Sequence, residues 1–302
     1  MHNTIVPMEQ RNLSIFAGGA AANNTVGGDY TYYTWTKPAD AAFVWMMIIS
    51  SGGAGGNGAV GTSAAVRLGG YGGGQSPVFT GLYPSYMVPD ILYVKVACEN
   101  FTTTSVVNTF YTGVYVDSNC TFAFAHTLGG ACTNASAPGS PGLAPVAGAS
   151  NTGYQHSGVY SNTVPGTPAA TNASVELSVT GYGSRGGGAG LAGSGTSSPG
   201  DNLPPNYANS AFIPTILAGT SPAAANTNGN DGIFSMKPFF STGGAGGYGY
   251  SNAYSAVTNL VSGYGGKGGF GSGGGGGGAG INSRPNPRGG SGGPGIIIIK
   301  TV

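Results

Sequence analysis

The chain has 302 residues, which is enough for one large all-β domain or two small ones. Sixty residues are glycine, about three times the usual share, and only 6% are charged. The formal net charge of +1 comes without clusters of Lys or Arg, which argues against nucleic acid or an anionic membrane as the main partner. No apolar run reaches membrane-spanning length and no basic segment opens the N-terminus, so neither membrane insertion nor a secretory signal is expected.

The first part of the chain divides at residue 29. Residues 1–28 are small and polar, with an apolar patch at 13–16, and are predicted to form an N-terminal attachment arm. Residues 29–128 are predicted to be the first part of a glycine-rich β domain. β-Branched and aromatic residues between turn signals predict its strands, at 30–35, 41–49, 91–96, 106–111, 114–116 and 121–124.

The second part of the chain is a long insertion followed by a closing section. Residues 129–242 are rich in Ala, Ser, Thr, Asn and Pro and are predicted to be a loop insertion with one strand at 174–179. Residues 243–302 are predicted to be the glycine-rich closing part, whose last strand, 296–302, pairs with strand 41–49. Pro and Gly interrupt every amphipathic window, so no α-helix is predicted.

Glycine follows a three-residue phrase, Gly-Gly-x, that is typical of neither helix nor strand. Polyproline-II-type backbone turns once in three residues and makes no internal hydrogen bonds, so its amides must bond to neighbouring segments. The predicted fold is therefore all-β, with β-sandwich-like strands combined with packed polyglycine-II helices. Flexible linker is the alternative, but the apolar segments between the glycine runs argue against it. The phrase recurs at 52–58, 69–73, 243–249, 265–271 and 289–295.

Catalytic chemistry is not indicated. The glycines at 56–61 match the dinucleotide-binding fingerprint. However, no helix is predicted after them, and no acidic residue occurs at the spacing that the ribose contact requires. Ser291 lies in a Gly-x-Ser-x-Gly pattern, but no His follows it. The nine acidic residues are scattered and the three histidines are isolated. We therefore expect no enzyme activity, no cofactor and no metal site. Free thiols are the default for the three cysteines, and a bridge between Cys120 and Cys132 is left open.

Aromatic side chains at or beside the x positions are the candidate contact residues. A glycine bundle would push them outward, and rigid aromatics beside Asn and Ser suit binding to sugars or to loops of outer-membrane proteins. The alternative is that these rings seal the bundle edge or a subunit interface. The candidates are Tyr71, Tyr248, Tyr250, Tyr254, Tyr264 and Phe270.

Several motifs follow one another along the chain. They are Trp35-Thr36-Lys37-Pro38, the apolar strand after it, the runs 52–61 and 69–74, Val94-Lys95-Val96, the run 273–279 and the ending 292–299. In this order they resemble the glycine-rich domain of bacteriophage tail fibres and related virion proteins, over residues 29–128 and 243–302. The chain is similar to fibre-tip adhesins of T-even-like phages, which carry polyglycine-II bundles.

The resemblance implies a location on the virion exterior and a structural role without catalysis. The expected partners are other copies of the chain in a homotrimer, other virion proteins, and a host receptor that is a glycan or an outer-membrane protein. A capsid decoration or head-fibre protein is the alternative. An antifreeze-like or secreted glycine-rich structural protein is less favoured, since no repetitive Thr or Ala face is evident.

Overall fold

The structure is a computed structural model that describes residues 12–20, 29–58, 60–61, 69–70, 72–74, 76, 78–99, 110–130, 154–156, 200, 216–219, 228–236, 239–249, 263–281 and 288–302. The predicted strand at 174–179, nearly all of the one at 106–111 and most of the insertion lie outside these residues. In the described part, the chain forms two main antiparallel sheets, and its only helix is the short 3₁₀ turn Ser85–Met87.

The strands in chain order are β1 (Leu13–Ala17), β2 (Tyr30–Thr36), β3 (Phe43–Ile49), β4 (Val60–Gly61), β5 (Val78–Pro84), β6 (Ile91–Ala97), β7 (Tyr111–Tyr115), β8 (Ala123–Leu128), β9 (Tyr154–His156), β10 (Phe234–Met236), β11 (Phe239–Ser241), β12 (Gly280–Ile281) and β13 (Ile296–Thr301). The first sheet has five strands in the order β1-β13-β3-β5-β9, and the second has four in the order β2-β6-β7-β8. Two small ladders, β10-β11 and β12-β4, complete the described strands.

The five-stranded sheet is covered on both faces. Val44, Met46 and Ile48 of β3 face a core that the four-stranded sheet shares, whereas Met47 and Ile49 belong to a second apolar cluster. Two covered faces remove the alternation of polar and apolar residues, which explains the continuous apolar runs of β3 and β13. The predicted pairing of the last strand with residues 41–49 is confirmed, because Ile296–Thr301 runs antiparallel to β3.

The four-stranded sheet supplies the other side of the shared core. Trp35 from β2, Leu92, Val94 and Val96 from β6, and Val114 from β7 are buried there against β3, β5 and β13. The predicted strands at 30–35 and 91–96 are confirmed with shifts of one residue at their ends. The strand predicted at 121–124 instead begins at Ala123 and continues to Leu128.

The edge strand β1 lies inside the segment that the sequence assigned to an attachment arm. It pairs antiparallel with β13, with Leu13 opposite Lys300 and Ala17 opposite Ile296. Phe16 packs against the shared core, and its ring centroid is 5.2 Å from that of Tyr33. Residues 12–20 therefore belong to the body of the protein.

The glycine-rich segments gather at one end of both sheets. Ile49 ends β3, and its register partners Ile296 and Val78 begin β13 and β5. Gly295 links this end to the second sheet, because its N–H donates to the Ala97 carbonyl of β6 at 2.8 Å. Its own carbonyl accepts from Gly18 N–H at 3.0 Å. We call the described glycine-rich residues within 50–58, 69–76, 242–249, 263–279 and 288–295 the glycine body.

Residues 272–279 form the central segment of the glycine body. Their hydrogen bonds advance in steps of three: Gly274 and Gly277 N–H donate to the carbonyls of Gly53 and Gly56, both at 3.0 Å. A β-strand bonds to at most two neighbours, which lie in one plane. Main-chain bonds instead join the central segment to five other described segments, namely 52–58, 69–74, 242–248, 263–269 and 288–294.

At the opposite end of the sheets, Lys37 fixes the loop between β5 and β6. Its Nζ donates to the carbonyls of Ser85 (2.9 Å) and Val88 (2.7 Å) and lies 3.0 Å from the Asp90 carboxylate. The Lys37 side chain is only 13% exposed, whereas that of Asp90 is 89% exposed. The two hydrogen bonds to the carbonyls are therefore shielded from water, whereas the ion pair with Asp90 is open to it.

We expect Lys37→Met to lower the free energy of unfolding by about 2 kcal/mol, because two hydrogen bonds to a charged donor are lost. Asp90→Asn is the control and should have a much smaller effect, since an ion pair with an exposed partner contributes little. Urea unfolding followed by tryptophan fluorescence measures both changes. Equal losses would show that the ion pair, not the carbonyl contacts, holds the loop.

Candidate functional site

The outer face of the four-stranded sheet carries five tyrosines. In β2 the side chain of Trp35 enters the core, so those of Tyr30 and Tyr32 point outward. The same alternation in β6 and β7 turns Tyr93, Tyr111 and Tyr115 outward, because Val94 and Val114 face the core. We call Tyr30, Tyr32, Tyr93, Tyr111 and Tyr115 the tyrosine face.

Strand register brings one cation and one imidazole into this face. Tyr32 is opposite Lys95, Lys95 is opposite Gly113, and Gly113 is opposite His126. Lys95 Nζ lies 4.0 Å from the centroid of the Tyr30 ring, which is a cation–π contact. His126 meets the ring of Tyr111 edge-on, with centroids 5.8 Å apart. These contacts fix the rings relative to one another.

Exposure differs across the tyrosine face. Tyr32 is 60% exposed and Tyr111 is 40% exposed, whereas Tyr115 is only 5% exposed. Burial raises the pKa of Tyr115 and that of Tyr30. Both phenols are therefore neutral at physiological pH and can donate as well as accept hydrogen bonds.

A pocket of about 320 Å³ opens at the edge of this face. The volume falls at the lower end of the range of about 300–1,000 Å³ that is usual for ligand sites. Its walls combine aromatic rings with hydroxyl and thiol groups from β2, β6 and the turn between β7 and β8. The lining residues are Tyr32, Tyr33, Thr34, Tyr93, Ser118 and Cys120.

The turn that forms one wall of the pocket is held by the Asp117 carboxylate. It accepts hydrogen bonds from Phe122 N–H at 2.7 Å, Thr121 Oγ1–H at 2.8 Å and Thr121 N–H at 3.0 Å. These bonds, that of Phe122 first, hold the pKa of Asp117 below its ordinary value. Cys120 adopts φ +52°, in the left-handed region that is uncommon for a residue other than glycine. The turn is thus fixed rather than freely adjustable.

His126 should make stability depend on pH. Burial lowers its pKa below the ordinary 6.5, so the unfolded chain binds this proton more tightly than the folded protein does. The stabilisation is complete above pH 6.5 and is lost as the pH falls through the folded-state pKa. We expect the urea midpoint to fall between about pH 7 and about pH 5, and to fall less in His126→Gln.

Asp117→Asn is the matched control for this pH series. The lowered pKa of Asp117 changes stability only as the pH falls through and below the ordinary value of 3.8. Between about pH 7 and about pH 5, this variant should therefore keep the wild-type dependence of the urea midpoint on pH. An equal slope in wild type and His126→Gln would contradict the assignment of the acid sensitivity to the imidazole.

The contact residues predicted from sequence fall into three groups. Tyr264 is 39% exposed on a peripheral segment of the glycine body, where Gly263, Gly266 and Gly269 are buried. Phe270, on the same segment, is half-buried, with its ring 4.7 Å from that of Phe234. Tyr248 is only 5% exposed within the glycine body. The remaining three lie outside the described residues, namely Tyr71, Tyr250 and Tyr254.

Sequence analysis did not single out the tyrosine face. A signal was present, since Tyr30 and Tyr32 alternate with Thr31, and Tyr93 and Lys95 alternate with Val94. Side chains alternate between the two faces of a strand, so aromatic residues at every second position on the solvent side indicate a sheet with an aromatic outer face. What joins the two strands into one surface is the β2-β6 pairing, which the sequence analysis did not address.

The remaining candidates from the sequence are a serine, the cysteines and clusters of metal-ligating side chains. Ser291 is 3% exposed within the glycine body, so its hydroxyl is not accessible as a nucleophile. Cys98 and Cys120 are free thiols, and Cys132 lies outside the described residues. No cluster of three His, Cys, Asp or Glu side chains that could hold a metal ion occurs among the residues the structure describes. Across that same part of the chain, no helix combines the length and apolarity needed to cross a bilayer.

The function proposed for this chain rests on its geometry and its sequence pattern. No protein-family model matches the chain, and the search of curated proteins found no match.

Proposed function

We propose that this chain is a structural protein of the exterior of a bacteriophage particle, a tail fibre or fibre-tip adhesin that binds the host cell surface without catalysing a reaction. The observation that carries the proposal is the central segment 272–279, bonded through its main chain to five other segments. It supports the resemblance to glycine-rich virion domains, in which such segments form the scaffold.

We further propose that the glycine body is a bundle of polyglycine-II helices and that the two sheets form a sandwich capped by it. Three-residue steps in hydrogen bonding support the first part. Burial in the segment 263–270 also repeats every third residue, with Tyr264 and Lys267 exposed between buried glycines. The shared core between the two sheets supports the second part.

Such a scaffold suits adhesion at a particle surface. Lateral main-chain bonds fix each glycine segment without relying on charged groups, which make up only 6% of the chain. A fixed scaffold lowers the entropy lost when exposed side chains bind a receptor. The tyrosine face and the exposed ring of Tyr264 are the surfaces that it would present. The partners are other virion proteins and a receptor on the bacterium.

Two measurements test the proposal. Gold-labelled antibody against the chain should decorate tail fibres in electron micrographs of the phage, and the purified protein should adhere to susceptible cells. Label on the head would indicate the capsid decoration or head-fibre alternative. Absence of label from the particle exterior would contradict the virion role, and absence of adhesion to any susceptible host would contradict the adhesin role. Analytical ultracentrifugation should give three times the chain mass of 29.6 kDa if the assembly is a trimer.

A further inference from the structure

We propose that the tyrosine face, with the pocket at its edge, binds an acidic bacterial polysaccharide whose pyranose rings stack on the tyrosines and whose acidic group lies near Lys95. The inference rests on the proposed adhesin role and names the chemical class of the receptor.

Exposed tyrosine rings supply the stacking surface. Tyr32 is 60% exposed at the mouth of the pocket and Tyr111 is 40% exposed on the same sheet face. The face of an aromatic ring carries partial negative charge, and the C–H groups on one side of a pyranose carry partial positive charge. Ring contacts hold these tyrosines in place before any ligand binds, so little side-chain entropy is lost on binding.

Hydroxyl groups around the pocket match the other side of a sugar ring. Thr34, Ser118 and Tyr93 line the walls. Each of their hydroxyls can donate one hydrogen bond and accept others, as sugar hydroxyls also do. A pocket of about 320 Å³ that combines rings with hydroxyls suits a polar, ring-shaped ligand.

The charge on this face favours an acidic ligand. Lys95 is the only charged residue at the outward strand positions of the four-stranded sheet, and its Nζ lies on the tyrosine face, 4.0 Å from the centroid of the Tyr30 ring. The Asp117 carboxylate in the turn between β7 and β8 accepts hydrogen bonds from Thr121 and Phe122 and keeps its negative charge, so the acidic group of the ligand is expected at Lys95 and not at the turn. A carboxylate or phosphate on a glycan that lies across the tyrosine face would therefore meet the Lys95 cation.

A glycan array tests the inference with the full-length chain. The array carries oligosaccharides from bacterial capsules and lipopolysaccharides, with neutral and uronate-containing members. We expect binding to uronate-containing oligosaccharides, weakened about tenfold or more in Tyr32→Ala. Lys95→Met should abolish the preference for acidic over neutral members. Tyr86→Ala is the control, because Tyr86 is 87% exposed on the loop between β5 and β6 and does not line the pocket, and it should bind as wild type does.

Several results would overturn the inference. They are no binding to the array, unchanged binding by a folded Tyr32→Ala protein, or equal binding of neutral and acidic members by the wild type. Adhesion to cells that persists after their polysaccharide is stripped, and that protease treatment of the cells removes, would assign the receptor to a protein; the adhesin role would then stand and the glycan inference would fail. Absence of adhesion to every susceptible host would instead overturn the adhesin role.

Discussion

Gly275→Ala should lower the free energy of unfolding by about 3 kcal/mol or more, which is a large part of the stability of an ordinary domain. An added Cβ would lie 2.0 Å from the Ala245 carbonyl oxygen and 2.5 Å from its carbon. Gly275 N–H donates to the Gly266 carbonyl and its own carbonyl accepts from Gly290 N–H, both at 2.8 Å. The backbone therefore cannot move away from Ala245 without stretching a bond on another side.

The control for Gly275 is Gly19, whose added Cβ would have the Thr31 hydroxyl oxygen as its nearest neighbour, at 3.8 Å. Gly19→Ala should change stability by no more than about 0.5 kcal/mol. Both substitutions restrict the unfolded chain similarly, so their difference isolates the close approach of segments in the glycine body. Urea unfolding followed by tryptophan fluorescence is the measurement. Similar midpoints for the two variants would mean that the central segment is not tightly packed.

Some of this architecture could be predicted from local patterns. Strands β2, β6 and β13 have β-branched and aromatic residues without internal Gly or Pro, and their positions were predicted to within one or two residues. The three-residue glycine phrase predicted lateral main-chain bonding, and such bonds recur in steps of three along residues 272–279. In both cases the deciding information lies within a short window of sequence.

Strand β5 was missed because its own residues argue against it. Gly81 lies in its middle and Pro84 at its end, and both are signals for turns. Pairing with β3 overrides these signals: Phe79 lies opposite Ile48, and its side chain is fully buried in the shared core. The strand exists because of tertiary packing, which a local pattern does not record.

The candidate site depended still more on long-range packing. Tyr248 and Tyr264 have the same kind of position in a Gly-Gly-x phrase, yet the first is 5% and the second 39% exposed. The difference comes from the neighbours of each segment, since residues 242–249 lie inside the glycine body and 263–270 lie at its periphery. The sequence could predict that side chains stand at x positions, but not which of them face solvent.

Phe79→Ala should be the most damaging core substitution, with a loss of about 3–5 kcal/mol. Phe79 has no exposed surface, and its ring fills the shared core beside Ile48 and Leu92. Leu82, on the same strand, is 62% exposed, so Leu82→Ala should be nearly neutral and serves as the control. Equal losses in the two variants would contradict the placement of β5 across the core.

The Phe79 variant also tests whether the sheets and the glycine body unfold together. Residues 50–58 continue directly from β3, and residues 288–295 lead directly into β13, so loss of the shared core removes the anchor of two glycine segments at once. We expect Phe79→Ala to reduce amide-exchange protection at Gly274 and Gly277 in proportion to its effect on unfolding followed by tryptophan fluorescence. Protection that persists at these glycines after the sheets unfold would show that lateral main-chain bonds alone maintain the glycine body.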